Sequence, residues 1–220
     1  MSRRGELDAI VVGAGIVGTA TALALARDGF DVALVEAQPP TPWNSSDDVD
    51  LRVVALAPDG AALFDDLGVW TTIREARVGP YRRMVVWDAL APGELVFDAL
   101  ERGESALGWI VENRLLQHAL WTALVAALPP DRLACPSTLA DIEDHGDAVT
   151  AVLGDGTRRR ARVLIGADGI ASPLRDRLGI GTRGRDYGQR AVVAHVTTER
   201  AHDGTAWQRF QPGGPLAFLP

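Results

Sequence analysis

The stretch Leu7-Asp8-Ala9-Ile10-Val11-Val12-Gly13-Ala14-Gly15-Ile16-Val17-Gly18 decides how the rest of the chain is read. An apolar run meets three glycines spaced G-x-G-x-x-G, and a second apolar run downstream ends in Glu36. Together they predict one unit: strand, glycine turn, helix, strand, acidic tip. Such a turn lets the backbone come close to a pyrophosphate and aims the amides of a helix N-terminus at its charge. The carboxylate of Glu36, 18 positions after Gly18, is placed to accept a hydrogen bond from a ribose 2′-hydroxyl and to repel a 2′-phosphate. Glycine turns also serve ordinary packing. Here the flanking strand, helix and acid favour dinucleotide binding.

Working outward, residues 16–28 read as a helix with Ile16, Val17, Ala20, Leu23 and Ala24 on one face and Gly29 as its stop. Residues 31–36 form a second strand, parallel to the first through a right-handed crossover. Residues 37–50, rich in Pro, Ser and Asp, read as a mobile loop. Order resumes with a strand at 51–56 and a helix over 58–67 that closes at Gly68. Paired strands follow at 81–88 and 94–98, with Trp87 and Phe97 as apolar anchors. The clearest helix spans 112–128, where Leu115, Leu116, Ala119, Leu120 and Leu124 recur at helical spacing before Pro129-Pro130. Short strands follow near 131–135, 139–143, 147–153 and 157–161, the last two joined by a tight Asp155-Gly156 turn. A buried strand then runs into Gly166-Ala167-Asp168-Gly169, and 187–199, 205–211 and 215–219 read as strands of a separate sheet.

Composition narrows the function classes. The 220 residues are 47% hydrophobic and 23% charged, as in a globular protein with a sizeable core. A net charge of −7 and the lack of any long basic run argue against nucleic acid as the main partner. The single cysteine, Cys135, excludes an internal disulfide, suits a reducing cytosol and reads as a strand-end packing residue. The first strand begins too early for a signal peptide, and the longest uncharged stretch, 115–130, is too short and interrupted to span a bilayer. The four histidines have no metal-ligand spacing, and His195 reads as a structural residue of a sheet. No nucleophile elbow is present, so chemistry would come from a bound cofactor and no catalytic side chain is assigned.

Asp168 sits at the carboxyl end of a strand, where ligands of open α/β sheets bind, and could hold a ribose or ribityl hydroxyl. Asp168-Gly169 alone could equally be an Asx turn. Its presence beside the first fingerprint favours the binding reading. Arg52 follows the loop beside an apolar run, with a surface salt bridge as the plainer alternative. Arg114 falls in the first turn of its helix, where a cation opposes the dipole and a bound anion would offset it. Gln117, one turn later, is either a neighbour of that ligand or polar surface.

At these residues the chain resembles the flavin-dependent aromatic hydroxylases built on the p-hydroxybenzoate hydroxylase fold, and among them the branch acting on ubiquinone precursors. The resemblance rests on the glycine turn, Glu36, Asp50-Leu51-Arg52-Val53-Val54-Ala55-Leu56, Leu67-Gly68-Val69-Trp70 and Met84-Val85-Val86-Trp87-Asp88. It continues through Val111-Glu112-Asn113-Arg114-Leu115-Leu116-Gln117, the Asp168-Gly169 segment, Trp207-Gln208-Arg209-Phe210 and Gly214-Pro215-Leu216-Ala217-Phe218-Leu219-Pro220. It implies an α/β fold: a Rossmann-like FAD-binding domain with a parallel sheet and β-meander, plus the start of a mixed β-sheet substrate domain. The implied boundaries are 1–80 and 111–182 for the FAD-binding parts, with 81–110 and 183–220 for the substrate domain.

The resemblance further implies FAD as cofactor, with Gly13, Ala14, Gly15 and Gly18 at its pyrophosphate and Glu36 at the adenosine ribose. Arg52 would lie near the flavin, Arg114 would reach cofactor oxygens and Asp168 would help anchor the nucleotide. NAD(P)H would supply electrons and dioxygen an oxygen atom to an aromatic, prenylated substrate. A cytoplasmic protein with peripheral membrane contact and membership of a ubiquinone-biosynthesis complex would follow. Family members usually continue with more sheet, a Gly-Asp motif and a helical region, so the 220 residues alone are expected to bind FAD weakly or not at all, and not to hydroxylate. A non-catalytic nucleotide-binding module and an NAD-dependent dehydrogenase are the alternatives, the latter disfavoured by the 163–178 segment.

Overall fold

The computed structural model describes residues 6–220. From the N-terminal side the elements are β1 (Leu7–Val12), α1 (Ile16–Arg27), β2 (Val32–Val35), β3 (Val53–Leu56), α2 (Pro58–Asp66), α3 (Trp70–Ala76), β4 (Val78–Tyr81), β5 (Arg83–Asp88) and β6 (Glu94–Asp98). They continue as β7 (Gly108–Glu112), α4 (Asn113–Ala127), β8 (Leu133–Ala134), β9 (Leu139–Asp144), β10 (Val149–Leu153), β11 (Arg158–Gly166), α5 (Pro173–Arg177), β12 (Thr205–Phe210) and β13 (Leu216–Phe218). Two compact units result: residues up to Trp43 with Leu116–Arg190, and Asn44–Leu115 with Ala191–Pro220.

The first unit holds a six-stranded sheet in the order β8-β2-β1-β11-β10-β9. Strands β8, β2, β1 and β11 run parallel, and β11, β10 and β9 form an antiparallel meander. This is the α/β architecture expected from the glycine turn. Its core gathers Leu7, Ile10, Val12, Ala33, Val35, Ala151 and Leu153. Strand β11 is one continuous element where the sequence suggested two. Residues 158–161 pair with β10 and 161–166 with β1, so the apparent break marks a change of partner.

Helix α1 forms where expected but turns a different face inward. Gly18, Thr19, Ala22 and Leu23 are buried, whereas Val17 is 72% exposed. The helix is apolar nearly all round, so periodicity alone does not select a face. The sheet selects the side with the smallest residues, which permits the closest approach.

The second unit contains an antiparallel sheet β3-β7-β4 and a mixed sheet β13-β12-β5-β6, in which β12 runs parallel to β5. Trp87 meets Trp207 edge-on at 6.2 Å between ring centroids, a favourable aromatic geometry. Phe97 is half exposed and is not the anchor it was expected to be. No strand forms over 187–199; these residues are exposed, His195 among them, although Ala191-Val192-Val193-Ala194 has strong β character. Strand propensity needs a neighbouring edge to pair with, and none of the described strands takes this segment.

Candidate nucleotide-binding site

The glycine turn and the Asp168 turn leave adjacent parallel strands at the same level, with Val12 opposite Gly166. The Ala167 amide donates to Val12 O at 2.8 Å, and the Gly13 amide donates to Val35 O at 2.8 Å, tying the tips of β11, β1 and β2 together. A Cβ on Gly13 would lie 2.3 Å from Ala167 O, and the residue has φ of 107°, so only glycine fits there. A Cβ on Gly18 would lie 2.0 Å from Gly13 O. These two glycines let backbone pack on backbone. Gly15 is different: its conformation is ordinary and a Cβ there would meet nothing within 4 Å. The fold itself does not require glycine at position 15.

Helix α1 begins at this point. Gly15 is its N-cap, without a side-chain cap, and no acidic residue occupies the first turn. The first intrahelical bond is from the Thr19 amide to Gly15 O, which leaves the earlier amides without helical acceptors. Uncapped amides at the positive end of a twelve-residue helix form an anion-receptive surface.

Glu36 is fixed at the end of β2. Its Oε2 accepts from the Ala14 amide at 2.5 Å and its Oε1 from the Gln38 amide at 2.9 Å. Each oxygen retains a lone pair, so the carboxylate can still accept from a ribose diol. Gln117, read as either a neighbour of the ligand or polar surface, donates from Nε2 to Ala14 O at 2.9 Å and so contacts the glycine turn. Beside Glu36, Cys135 is half-buried just past β8. Burial, and then the Glu36 carboxylate, push its thiol above the usual range, so it stays protonated at neutral pH.

Both oxygens of Asp168 are engaged locally: Oδ1 accepts from Ser172 Oγ at 2.5 Å and Oδ2 from the Leu174 amide at 3.0 Å. Ser172 Oγ in turn accepts from the Arg175 amide at 3.0 Å and caps α5. These bonds reach residues 172 and 174, not the amide two positions on that an Asx turn uses, so the Asx turn considered for Asp168-Gly169 is not what holds this carboxylate. Asp168 sits at the mouth of a cleft. That cleft, about 220 Å³, is lined by Gly13, Glu36, Ser137, Thr138, Asp168 and Arg177. It is smaller than the roughly 300–1,000 Å³ of a complete small-molecule site, a size suited to part of a dinucleotide.

Arg52 and Arg114 belong to the second unit. The Arg52 side chain is exposed and makes no ion pair among the described residues, against the plainer alternative of a surface salt bridge. Arg114 Nε lies 3.3 Å from Asp50 Oδ2. The Asn113 amide donates to Arg52 O at 2.9 Å, and the Asp50 amide to Glu112 Oε2 at 2.8 Å. Glu112-Asn113-Arg114 therefore holds Asp50-Leu51-Arg52 in place. Sequence reading assigned Glu112 no role, yet it is 2% exposed and paired with Arg77 Nε at 2.7 Å. Arg77 Nη1 also donates to Asp47 O at 3.1 Å. The signal was available: a carboxylate ending the apolar run Trp109-Ile110-Val111 needs a cation once buried.

The profile of a family described as "FAD binding domain" matches residues 6–212. The chain belongs to this family. The 3-demethoxyubiquinol 3-hydroxylase of Escherichia coli strain K12 is 39% identical over 210 residues, covering 96% of this chain and 53% of that protein. The human "ubiquinone biosynthesis monooxygenase COQ6, mitochondrial" is 36% identical over 232 residues, covering 97% of this chain and 48% of that protein. Among solved structures, a variant of Klebsiella pneumoniae HpxO complexed with FAD superposes with a TM-score of 0.66 at 22% identity, covering 98% of this chain and 54% of that one. The chain thus spans about half the length of the relatives it matches. The resemblance stated from the motifs is confirmed at the level of family and fold.

The residues present in this FAD-binding-domain chain fit the cofactor its family implies. Within the first unit, open space at Gly15, uncapped α1 amides and the remaining lone pairs of Glu36 match a pyrophosphate and a ribose. The structure brings Gly13, Ala14, Gly15, Gly18, Glu36 and Asp168 together in the first unit, and Arg52 with Arg114 in the second. Among the described residues no group of His, Cys, Asp and Glu could hold a metal ion. No helix there is long and apolar enough to cross a membrane.

Proposed function

We propose that this chain is the FAD-holding portion of a flavin-dependent monooxygenase that hydroxylates an aromatic ring, with a prenylated phenol of ubiquinone synthesis as its substrate. The observation that carries this reading is the backbone contact between the glycine turn and the Asp168 turn at one cleft. The similarity to a 3-demethoxyubiquinol 3-hydroxylase supports the substrate class. Bound FAD would take electrons from NAD(P)H and use dioxygen to oxygenate the ring. The chain's own residues would do the holding. Gly15 and the first amides of α1 bind the pyrophosphate, Glu36 accepts from the adenosine ribose, and Asp168 anchors the turn beside them. Arg52 would lie near the flavin, and Arg114 would reach cofactor oxygens. In this reading residues 1–80 and 111–182 serve the cofactor, and 81–110 and 183–220 the substrate. The protein works in the cytoplasm at a membrane surface, where its greasy substrate resides.

Gly15→Val tests the cofactor assignment. The added side chain enters open space, so thermal stability should stay within about 1 kcal/mol of wild type. FAD affinity should fall by at least about 100-fold, equivalent to about 2.7 kcal/mol. Unchanged affinity would remove Gly15 from the site. For the activity, the complete gene product is expected to be yellow and to consume NAD(P)H in response to a prenylated phenol, yielding a product heavier by one oxygen atom. A complete product that binds FAD but oxidises no NAD(P)H would favour the non-catalytic module.

A further inference from the structure

We propose that Gln117 is a positioning residue for the nucleotide site, one that sets the direction of the Gly15 amide; this rests on the reading that the site holds a dinucleotide. Ala14 lies between two glycines, where the backbone is least constrained. The chain pins it from both sides. Glu36 accepts from its N–H at 2.5 Å, and Gln117, 103 residues away in sequence, donates to its carbonyl at 2.9 Å. Helix α1 cannot do this itself, because its first bond is received by Gly15 O, one residue later.

The geometry of a trans peptide turns this contact into a functional one. The C=O of Ala14 and the N–H of Gly15 share one plane and point in opposite directions. Holding the carbonyl toward α4 therefore holds the Gly15 N–H away from it. That amide stands at the uncapped start of α1, at the residue whose missing side chain leaves open space. Glu36 fixes the preceding peptide and Gln117 the following one, so the amides meeting an incoming pyrophosphate are aimed before it arrives. Preorganised donors cost less ordering on binding. Gln117 need not touch the cofactor to act this way.

Two variants test the assignment. Gln117→Met keeps the length of the side chain and removes the donor; Gln117→Glu replaces the donor with an acceptor facing the Ala14 carbonyl. Both are measured by FAD titration and by the amide signal of Gly15 in ¹⁵N-labelled, FAD-free protein. Gln117→Met is expected to weaken FAD binding by about 3- to 10-fold, the scale of one hydrogen bond, and Gln117→Glu by more. In both, the Gly15 amide should shift while the core strand β10 keeps its exchange protection. Wild-type affinity in Gln117→Met, or an unmoved Gly15 amide, would overturn the proposal. Should the wild-type protein take up no FAD, the cofactor reading fails separately, and the Gly15 signal of the FAD-free variants still decides whether Gln117 orients the turn.

Discussion

Gly13→Ala is expected to unfold the first unit under conditions where the wild type is stable. Two penalties coincide at this residue. An alanine must adopt φ near 107°, outside the regions open to L-residues, and its Cβ would sit 2.3 Å from Ala167 O and 2.9 Å from Asp168 Cα. Those neighbours are backbone atoms of the adjoining turn, held by the Ala167 amide on Val12 O, so they cannot swing aside like the end of a side chain. Strain and overpacking together come to roughly 2–5 kcal/mol. That is a large share of the stability of a small domain, and the midpoint of thermal unfolding should drop by roughly 10 °C or more. Circular dichroism melts of Gly13→Ala beside Gly15→Val make the comparison internal, because both add side-chain bulk to the same turn. Equal melting temperatures for the two would contradict the division of labour between these glycines.

Glu112→Ala is expected to have the next largest effect, in the second unit. The carboxylate is buried and serves both the Arg77 guanidinium and the Asp50 amide. Removing it strands a cation and a backbone donor together. Arg77 is 30% exposed, so water relieves part of the loss, and the cost should be roughly 3 kcal/mol, toward the low end for a broken buried pair. Glu112→Gln keeps an acceptor and should lose about half as much. Because Arg77 also holds Asp47 O, residues 44–52 should become the first site of limited proteolysis in Glu112→Ala. An intact 44–52 segment with a wild-type melt would show that the pair does not organise this loop.

The parts of the fold legible in the sequence are those with a local cause. The turn at Gly13 is written in its glycines, the end of α4 in Pro129-Pro130, and the β10–β11 hairpin in Asp155-Gly156, where Gly156 has φ of 85°. Non-local causes were not legible. The buried face of α1 depends on which side the sheet accepts. The segment 187–199 has the composition of a strand but lacks a partner edge. Helix α3 and strand β7 were missed: α3 is a short helix, and the apolar run of β7 ends in a charge whose partner, Arg77, lies 35 residues away.

The candidate site divides in the same way. Gly13, Gly15, Gly18, Glu36 and Asp168 were readable because each occupies a fixed offset from a strand end. Gln117 stayed ambiguous, since its partner is a backbone carbonyl 103 residues back, and a carbonyl has no sequence signature. Asp168 lines the cleft and also holds Ser172 and the Leu174 amide at the start of α5.

The central physical claim is that the opening glycine turn and the Asp168 turn serve one flavin nucleotide. Titrating the ¹⁵N-labelled protein with FAD tests it most directly, because amide shifts register weak as well as tight binding. The amides of Gly15, Ile16 and Val17 should move together with those of Asp168 and Gly169, all following a single dissociation constant. Movement at one turn with silence at the other, or two distinct constants, would contradict the account.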